Sequence, residues 1–151
     1  MRLAFAAVAL AALATAAQSA PHPAAPQVKA AWSRPAAAGT TAGGFMTLVN
    51  PGPKADALVS VESPLASAVQ VHQSMMHDGM SMMHAVTSVP LPAGGSVTFA
   101  PGGYHLMFLE VAKALNVGDT LPATLTFASG AKVKATFVVG LAPPAAAASK
   151  R

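Results

Sequence analysis

Short strand-like segments separated by glycine and proline turns run through most of this chain. Turn sequences recur at regular intervals, at residues 50–53, 90–95, 101–103, 117–119 and 129–130. No sustained helical period follows the N-terminal residues, and residues 112–116 are the one candidate for a short helical turn. Eight or nine short strands with such punctuation favour an antiparallel sandwich or barrel. We therefore expect an all-β fold.

The strands are expected where apolar and β-branched residues cluster between these turns. They are predicted at residues 28–32, 45–49, 57–61, 68–72, 97–99, 104–109, 121–127 and 133–139. Residues 39–44 are predicted to be a loop. Asp78-Gly79 is a strong signal for a hairpin with a tight turn.

The first residues resemble a secretory signal. Arg2 precedes the apolar run 3–14, and small residues follow it. A membrane anchor is the weaker alternative, because about 20 apolar residues are needed to span a bilayer. We expect residues 1–20 to be a signal peptide, with cleavage near 16–20, and no membrane span in the mature chain.

The rest of the 151-residue chain suits one domain. Residues 21–27 are rich in proline and alanine and are expected to be a flexible leader. The folded domain is expected at 28–141, followed by a disordered tail at 142–151. The chain has no cysteine, so an exported domain would have to fold without disulfides. Its nine basic residues are scattered, which argues against a nucleic-acid surface.

Two histidines and two methionines follow the spacing His-x10-Met-x21-His-x-Met. They are His72, Met83, His105 and Met107. Thioethers favour Cu(I), and imidazole binds copper of either valence. Zinc sites use Cys, His and carboxylates, and two Met ligands would be unusual in them. Copper is therefore the first hypothesis for the bound ion.

Strand and hairpin geometry can bring these four residues together. His105 and Met107 are two apart on a predicted strand, so their side chains leave the same face. A two-residue turn at Asp78-Gly79 would pair Ser74 with Met83. His72 and Met83 would then be diagonal neighbours on one face, with Cβ atoms somewhat under about 7–8 Å apart. A bulge or longer loop would break this register.

The same register predicts a second face of the hairpin that is also rich in soft ligands. It would carry Gln73, Met75, His77, Met80, Met82 and His84. We hypothesise that these residues form a second, more exposed and weaker copper site.

Other interpretations of these side chains remain open. A Met stripe often serves core packing, and a single His is often structural. The chain could then be an exported structural or adhesion β-domain. Yet six of the eight methionines lie between Met75 and Met107, most of them among polar residues, which is poor core composition. No nucleophile–base pair or carboxylate dyad accompanies these four residues in the sequence, so we do not expect an enzyme.

The motifs also resemble a known family, the periplasmic copper chaperones called PCu(A)C. The similarity lies in the four-residue spacing and in the segments 31–34 (AWSR), 44–50 (GFMTLVN), 92–95 (PAGG) and 101–107 (PGGYHLM). The resemblance implies a cupredoxin-like Greek-key β-barrel or sandwich. It also implies that His72, Met83, His105 and Met107 bind Cu(I).

The resemblance further implies a periplasmic protein that delivers copper to the CuA centre of cytochrome c oxidase. We expect a monomer whose partner is the CuA-containing oxidase subunit or another periplasmic copper protein. The alternative is a copper-sequestering or resistance protein without a dedicated recipient.

The chain also departs from the family pattern, because its hairpin contains more Met and His residues than the four-residue spacing requires. Some relatives carry a His/Met-rich tail that binds Cu(II), but residues 142–151 contain neither residue type. A Cu(II) role would therefore fall to the hairpin or to His22.

Overall fold

The structure is a computed structural model that describes residues 24–144. It contains ten strands: β1 (Gln27–Ser33), β2 (Ala42–Val49), β3 (Asp56–Glu62), β4 (Ala68–His77), β5 (Met80–Val86), β6 (Val89–Leu91), β7 (Ser96–Phe99), β8 (Tyr104–Leu109), β9 (Thr120–Phe127) and β10 (Lys132–Val139). Within this part of the chain there is no helix, and so none that could cross a membrane. The all-β prediction is confirmed. The expected signal peptide, residues 21–23 of the leader and residues 145–151 of the tail lie outside the described residues, and the domain boundaries stay predictions.

The strands form one sheet in the order β5-β4-β8-β7-β2-β1-β10-β9-β3-β6, and β8 also pairs with β2. Most neighbours are antiparallel, but β1 with β10 and β7 with β8 are parallel. The sheet folds over on itself. Phe108 of β8 and Phe137 of β10, strands that are not neighbours in the sheet, meet edge to face with ring centroids 5.4 Å apart.

The core follows from the alternation of side chains along each strand. On β9, Leu121, Ala123, Leu125 and Phe127 are all buried, while Thr120 and Pro122, on either side of Leu121, are exposed. This one-sided burial is what period-two patterning produces, and each large apolar side chain contributes about 1.5–3 kcal/mol when fully buried. The result is a single apolar cluster under the strands that carry the predicted ligands.

The β4–β5 hairpin has the register that the sequence predicts. His77 pairs with Met80, Ser74 with Met83, and His72 with Ala85. Asp78 and Gly79 both have positive φ, 49° and 76°. Two such residues in succession define a type I′ turn, whose twist matches that of the flanking strands. The tight turn therefore fixes which side chains share a face.

The structure corrects three local expectations. Residues 112–116 are not helical, because Leu115 is buried in the core and its backbone bridges to Ala36. Residues 90–95 are not all turn, since β6 occupies their start and pairs with β3. The expected loop at 39–44 is shorter, because β2 begins at Ala42 and extends its pairing with β8.

Candidate metal centre

The first half of the candidate centre is on β8. His105 and Met107 lie on one face of this strand, while Leu106 and Phe108 on the other face are fully buried in the core. His105 is itself only 8% exposed. Its Nδ1 donates a hydrogen bond to the carbonyl oxygen of Gly103, 3.2 Å away. In the neutral ring this leaves the lone pair on Nε2, which is the form that binds a metal.

His72 on β4 lies directly opposite His105. The two rings have centroids 5.8 Å apart and are tilted by 43°. The Nε2 atom of His72 lies 2.9 Å from Gln70 Oε1 and donates to it. Its Nδ1 is buried and has no hydrogen-bond partner among the described residues. A buried nitrogen lone pair without a partner costs free energy that a cation would recover. His72 therefore fits a metal ligand that binds through Nδ1.

The protonation state of His72 supports the same assignment. Burial lowers the pKa of His72, and the nearby imidazoles of His105 and His84 lower it further. The ring is therefore held in its neutral form, and metal binding requires that form.

Met83 on β5 completes a contact between the hairpin and β8. Its Sδ lies 2.9 Å from Nε2 of His105. On the intervening strand β4 the residue opposite Met83 is the small Ser74, which leaves room for the methionine to reach across. A thioether cannot donate a hydrogen bond, and Nε2 carries a lone pair in the tautomer set by Gly103. Met83 Sδ and His105 Nε2 therefore direct lone pairs toward each other, an arrangement that a cation bound by both atoms would stabilise.

Met107 is placed by register. It is half-buried and pairs with Gln70 on β4 and with Gly43 on β2. The ring of Phe45 packs beside Gly43, within 3.7 Å of where a Cβ would lie, and it stacks on Trp32 with centroids 4.8 Å apart. The register thus places this buried aromatic pair next to Gly43, the residue opposite Met107.

The structure thus places all four predicted residues on one face of three adjacent strands, β5, β4 and β8. His105 lies against His72 and contacts Met83, and the register puts Met107 opposite Gln70 on the same face. The part of the chain that the structure describes has no group of three or more His, Cys, Asp or Glu side chains able to hold a metal ion. The four predicted residues offer two imidazoles and two thioethers.

Two supporting residues were missed in the sequence. Gln70 orients His72, and Gly103 orients His105. Gln70 could have been found, since it is two residues from His72 and shares its face, as does Ser74, whose pairing with Met83 the hairpin register predicts. The role of the Gly103 carbonyl depends on backbone direction, for which the sequence carries no signal.

The residues of the predicted second site lie on the opposite face of the hairpin. Met75 pairs with Met82, His77 with Met80, and Gln73 with His84. All of these except Gln73 are exposed. The Nε2 atom of His77 also lies 3.3 Å from a carboxylate oxygen of Asp78. The structure brings these residues to one face, as the register predicts, and shows no contact among them that closes a site.

Comparison with known proteins places the chain in a family. The model of the family described as putative lipoprotein LpqE-like matches residues 26–139. The chain belongs to the LpqE-like family. A curated relative, the putative lipoprotein Lxx21020 of Leifsonia xyli subsp. xyli, is 33% identical over 105 residues. That match spans 69% of this chain and 63% of the relative.

Solved structures extend the comparison of this LpqE-like chain. The apo PCuAC domain from PmoF1 aligns with a TM-score of 0.65 and 26% identity, over 79% of this chain and 96% of that domain. The copper-bound PCuAC domain from PmoF2 aligns with a TM-score of 0.64 and 27% identity, over 78% and 94%. The protein CuI-DR1885 from Deinococcus radiodurans gives 0.57 and 27%, over 83% and 82%. The predicted resemblance to PCu(A)C domains, with their cupredoxin-like fold, is confirmed.

Proposed function

We propose that this protein is a copper chaperone that holds Cu(I) with His72, Met83, His105 and Met107. The observation that carries the proposal is that two imidazoles and a thioether converge, with Met83 Sδ against Nε2 of His105 and a buried, unpartnered Nδ1 on His72. Thioether ligands favour the reduced ion. The copper-bound PmoF2 domain and the CuI-DR1885 protein, which share this fold, support the same choice of metal.

The ligand set argues for transport of the ion and against redox use. Blue-copper electron-transfer sites need a cysteine thiolate, and this chain has no cysteine. We assign the protein no catalytic role. Copper is its cargo, received and released as Cu(I).

Release would proceed by ligand exchange. Met83 is 55% exposed and lies on β5, which ends the sheet, so a recipient can approach it. As a recipient ligand forms a bond to Cu(I), the bond from copper to Met83 Sδ breaks, and the remaining ligands follow. Copper keeps its oxidation state and no electron is transferred. Either methionine ligand would leave before the histidines, because the imidazoles are held by Gln70 and Gly103.

We place the protein in the periplasm, exported by its N-terminal signal and acting as a monomer. The recipient would be the CuA centre of cytochrome c oxidase, on the CuA-containing subunit, or another periplasmic copper protein. This proposal takes its support from the confirmed family resemblance.

The deciding experiment combines affinity and transfer. Under anaerobic conditions, Cu(I) is titrated into the purified protein against a competing chelator, and the loaded protein is then mixed with an apo CuA domain. We expect affinity tighter than micromolar and net movement of copper to the CuA domain. Affinity weaker than micromolar would favour a structural β-domain and overturn the proposal.

A second candidate function is copper sequestration without a dedicated recipient. The surplus of exposed methionines on the hairpin favours it. In the transfer experiment a sequestering protein would bind Cu(I) tightly and keep it in the presence of the apo CuA domain. The two functions are therefore distinguished by the second step alone.

A further inference from the structure

The hairpin carries more soft ligands than the four-residue centre uses. We call the face opposite that centre the second hairpin face; it consists of Gln73, Met75, His77, Met80, Met82 and His84. Register pairs Met75 with Met82 and His77 with Met80. Residues directly opposite each other have Cβ atoms about 4.5–5.5 Å apart. Two neighbouring pairs of this kind can bring several sulfur and nitrogen atoms around one ion.

Core packing does not explain these methionines. On the same face, Val71 and Val86 form the last pair that packs against the core. Beyond that pair the hairpin extends past the core, where Met75, Met82 and Met80 are 46%, 51% and 67% exposed. Exposed apolar side chains on an edge hairpin invite aggregation. Their presence calls for a role other than burial.

We propose that the second hairpin face binds a second soft monovalent metal ion, Cu(I). The two central thioethers, Met75 and Met82, hold it, and Met80, with His77 opposite, supplies further ligands from the turn. His84 lies beyond Met82 on the same face and extends the set toward the core. Thioether and imidazole are the donors that Cu(I) accepts. Such a site needs no rearrangement of the backbone, because the type I′ turn already fixes both pairs.

The second ion would be held more weakly than the first. The second hairpin face is open to solvent, and none of its histidines is buried. By contrast, the four-residue centre has one buried imidazole and another with a buried, unpartnered nitrogen. Side chains of adjacent strand residues leave opposite faces of the sheet, so the two ions would lie on opposite sides of β4 and β5. Each site can therefore fill without the ligands of the other.

The test is an anaerobic Cu(I) titration of the full protein against chelators of graded strength. We expect two equivalents, the second of lower affinity. The double variant Met75→Leu/Met82→Leu should bind one equivalent with unchanged affinity. Its control is Met76→Leu, which alters a still more exposed methionine on the other face and should keep the second equivalent. Circular dichroism checks that each variant is folded.

A complementary arm separates this proposal from the chaperone proposal. His105→Ala should lose the tight equivalent and keep the weaker one. Methyl NMR signals of Met75 and Met82 should then shift on addition of Ag(I), a diamagnetic substitute for Cu(I), while that of Met76 stays in place. Saturation at one equivalent in the unaltered protein would overturn the second site. A second equivalent that survives Met75→Leu/Met82→Leu would also overturn it.

Discussion

The two halves of the metal centre differ in how firmly the fold holds them. His105 lies on β8, which is flanked by β4 on one side and by β7 and β2 on the other, and its ring is buried and hydrogen-bonded. Met83 lies on β5, which has β4 as its only neighbour in the described sheet. Its side chain is more than half exposed. One half of the centre thus lies on a strand whose other face is anchored in the core, while the other half belongs to a projecting hairpin.

This difference suggests a division of labour. Local opening costs least where few apolar contacts are buried, as at an edge hairpin, and most in the central strands. The β8 half would therefore keep the ion in place while the hairpin half opens and closes over it. A chaperone needs both properties, since it must hold copper against loss and still surrender it to a recipient.

The largest expected effect comes from the buried half. Replacing His105 by Ala removes a proposed ligand and the side chain that Met83 contacts in the centre. Loss of an outer-shell partner already costs about 10- to 100-fold in metal affinity. We therefore expect His105→Ala to weaken Cu(I) binding at the tight site by more than about 100-fold in a chelator competition. His77→Ala, on the second hairpin face, is the control and should leave the tight site unchanged. If His105→Ala and His77→Ala lost Cu(I) affinity equally, the buried half of the centre would not be what holds the ion.

A smaller effect is expected from the exposed half. Met83→Leu keeps the size and apolar character of the side chain but removes the sulfur. We expect affinity to fall by about tenfold, which corresponds to about 1.4 kcal/mol. Most of that loss should come from faster release of Cu(I). The release rate is measured by stopped-flow mixing of the loaded protein with a chelator. If affinity and release rate both matched the unaltered protein, Met83 would not be a ligand, and the assignment of the hairpin half would be wrong.

The sequence predicts the candidate centre well because its two halves depend on local geometry. Alternation alone puts His105 and Met107 on one face, and Asp78-Gly79 alone sets the hairpin register. The contact between the halves depends instead on the pairing of β4 with β8, which are distant in the chain. Neither the His105–Met83 contact nor the support from Gly103 could be read from residue spacing.

The wrong predictions at residues 112–116 and 90–95 also arise from pairing between segments that are distant in the chain. The segment around Leu115 contains good helix formers, but its burial and its bridge to Ala36 outweigh that preference. β6 contains Pro90, which argues against a strand in the middle of a sheet. Because β6 lies at the end of the sheet, its proline is tolerated there. Both outcomes were decided by long-range pairing.

The smallest expected effect tests whether the hairpin turn matters to the centre at all. Gly79 has a φ of 76° and no atom within 4 Å of where a Cβ would lie, so Gly79→Ala adds strain without a clash. Forcing a residue with a Cβ into this region costs about 1–2 kcal/mol. The strain should loosen the turn that aligns Met83 and weaken tight Cu(I) binding by less than about tenfold.

The matched control for this variant is Gly130→Ala, in the β9–β10 turn. Gly130 has a φ of 89° and is equally free of neighbours within 4 Å of a Cβ position. Both variants should lower the denaturant midpoint by similar amounts, since the backbone strain is similar. Only Gly79→Ala should change copper affinity, because the β9–β10 turn carries no residue of the centre. If both variants bound Cu(I) as the unaltered protein does, the hairpin turn would not be what positions Met83. The retention and the release of Cu(I) would then have to be explained by residues of β8 and β4 alone.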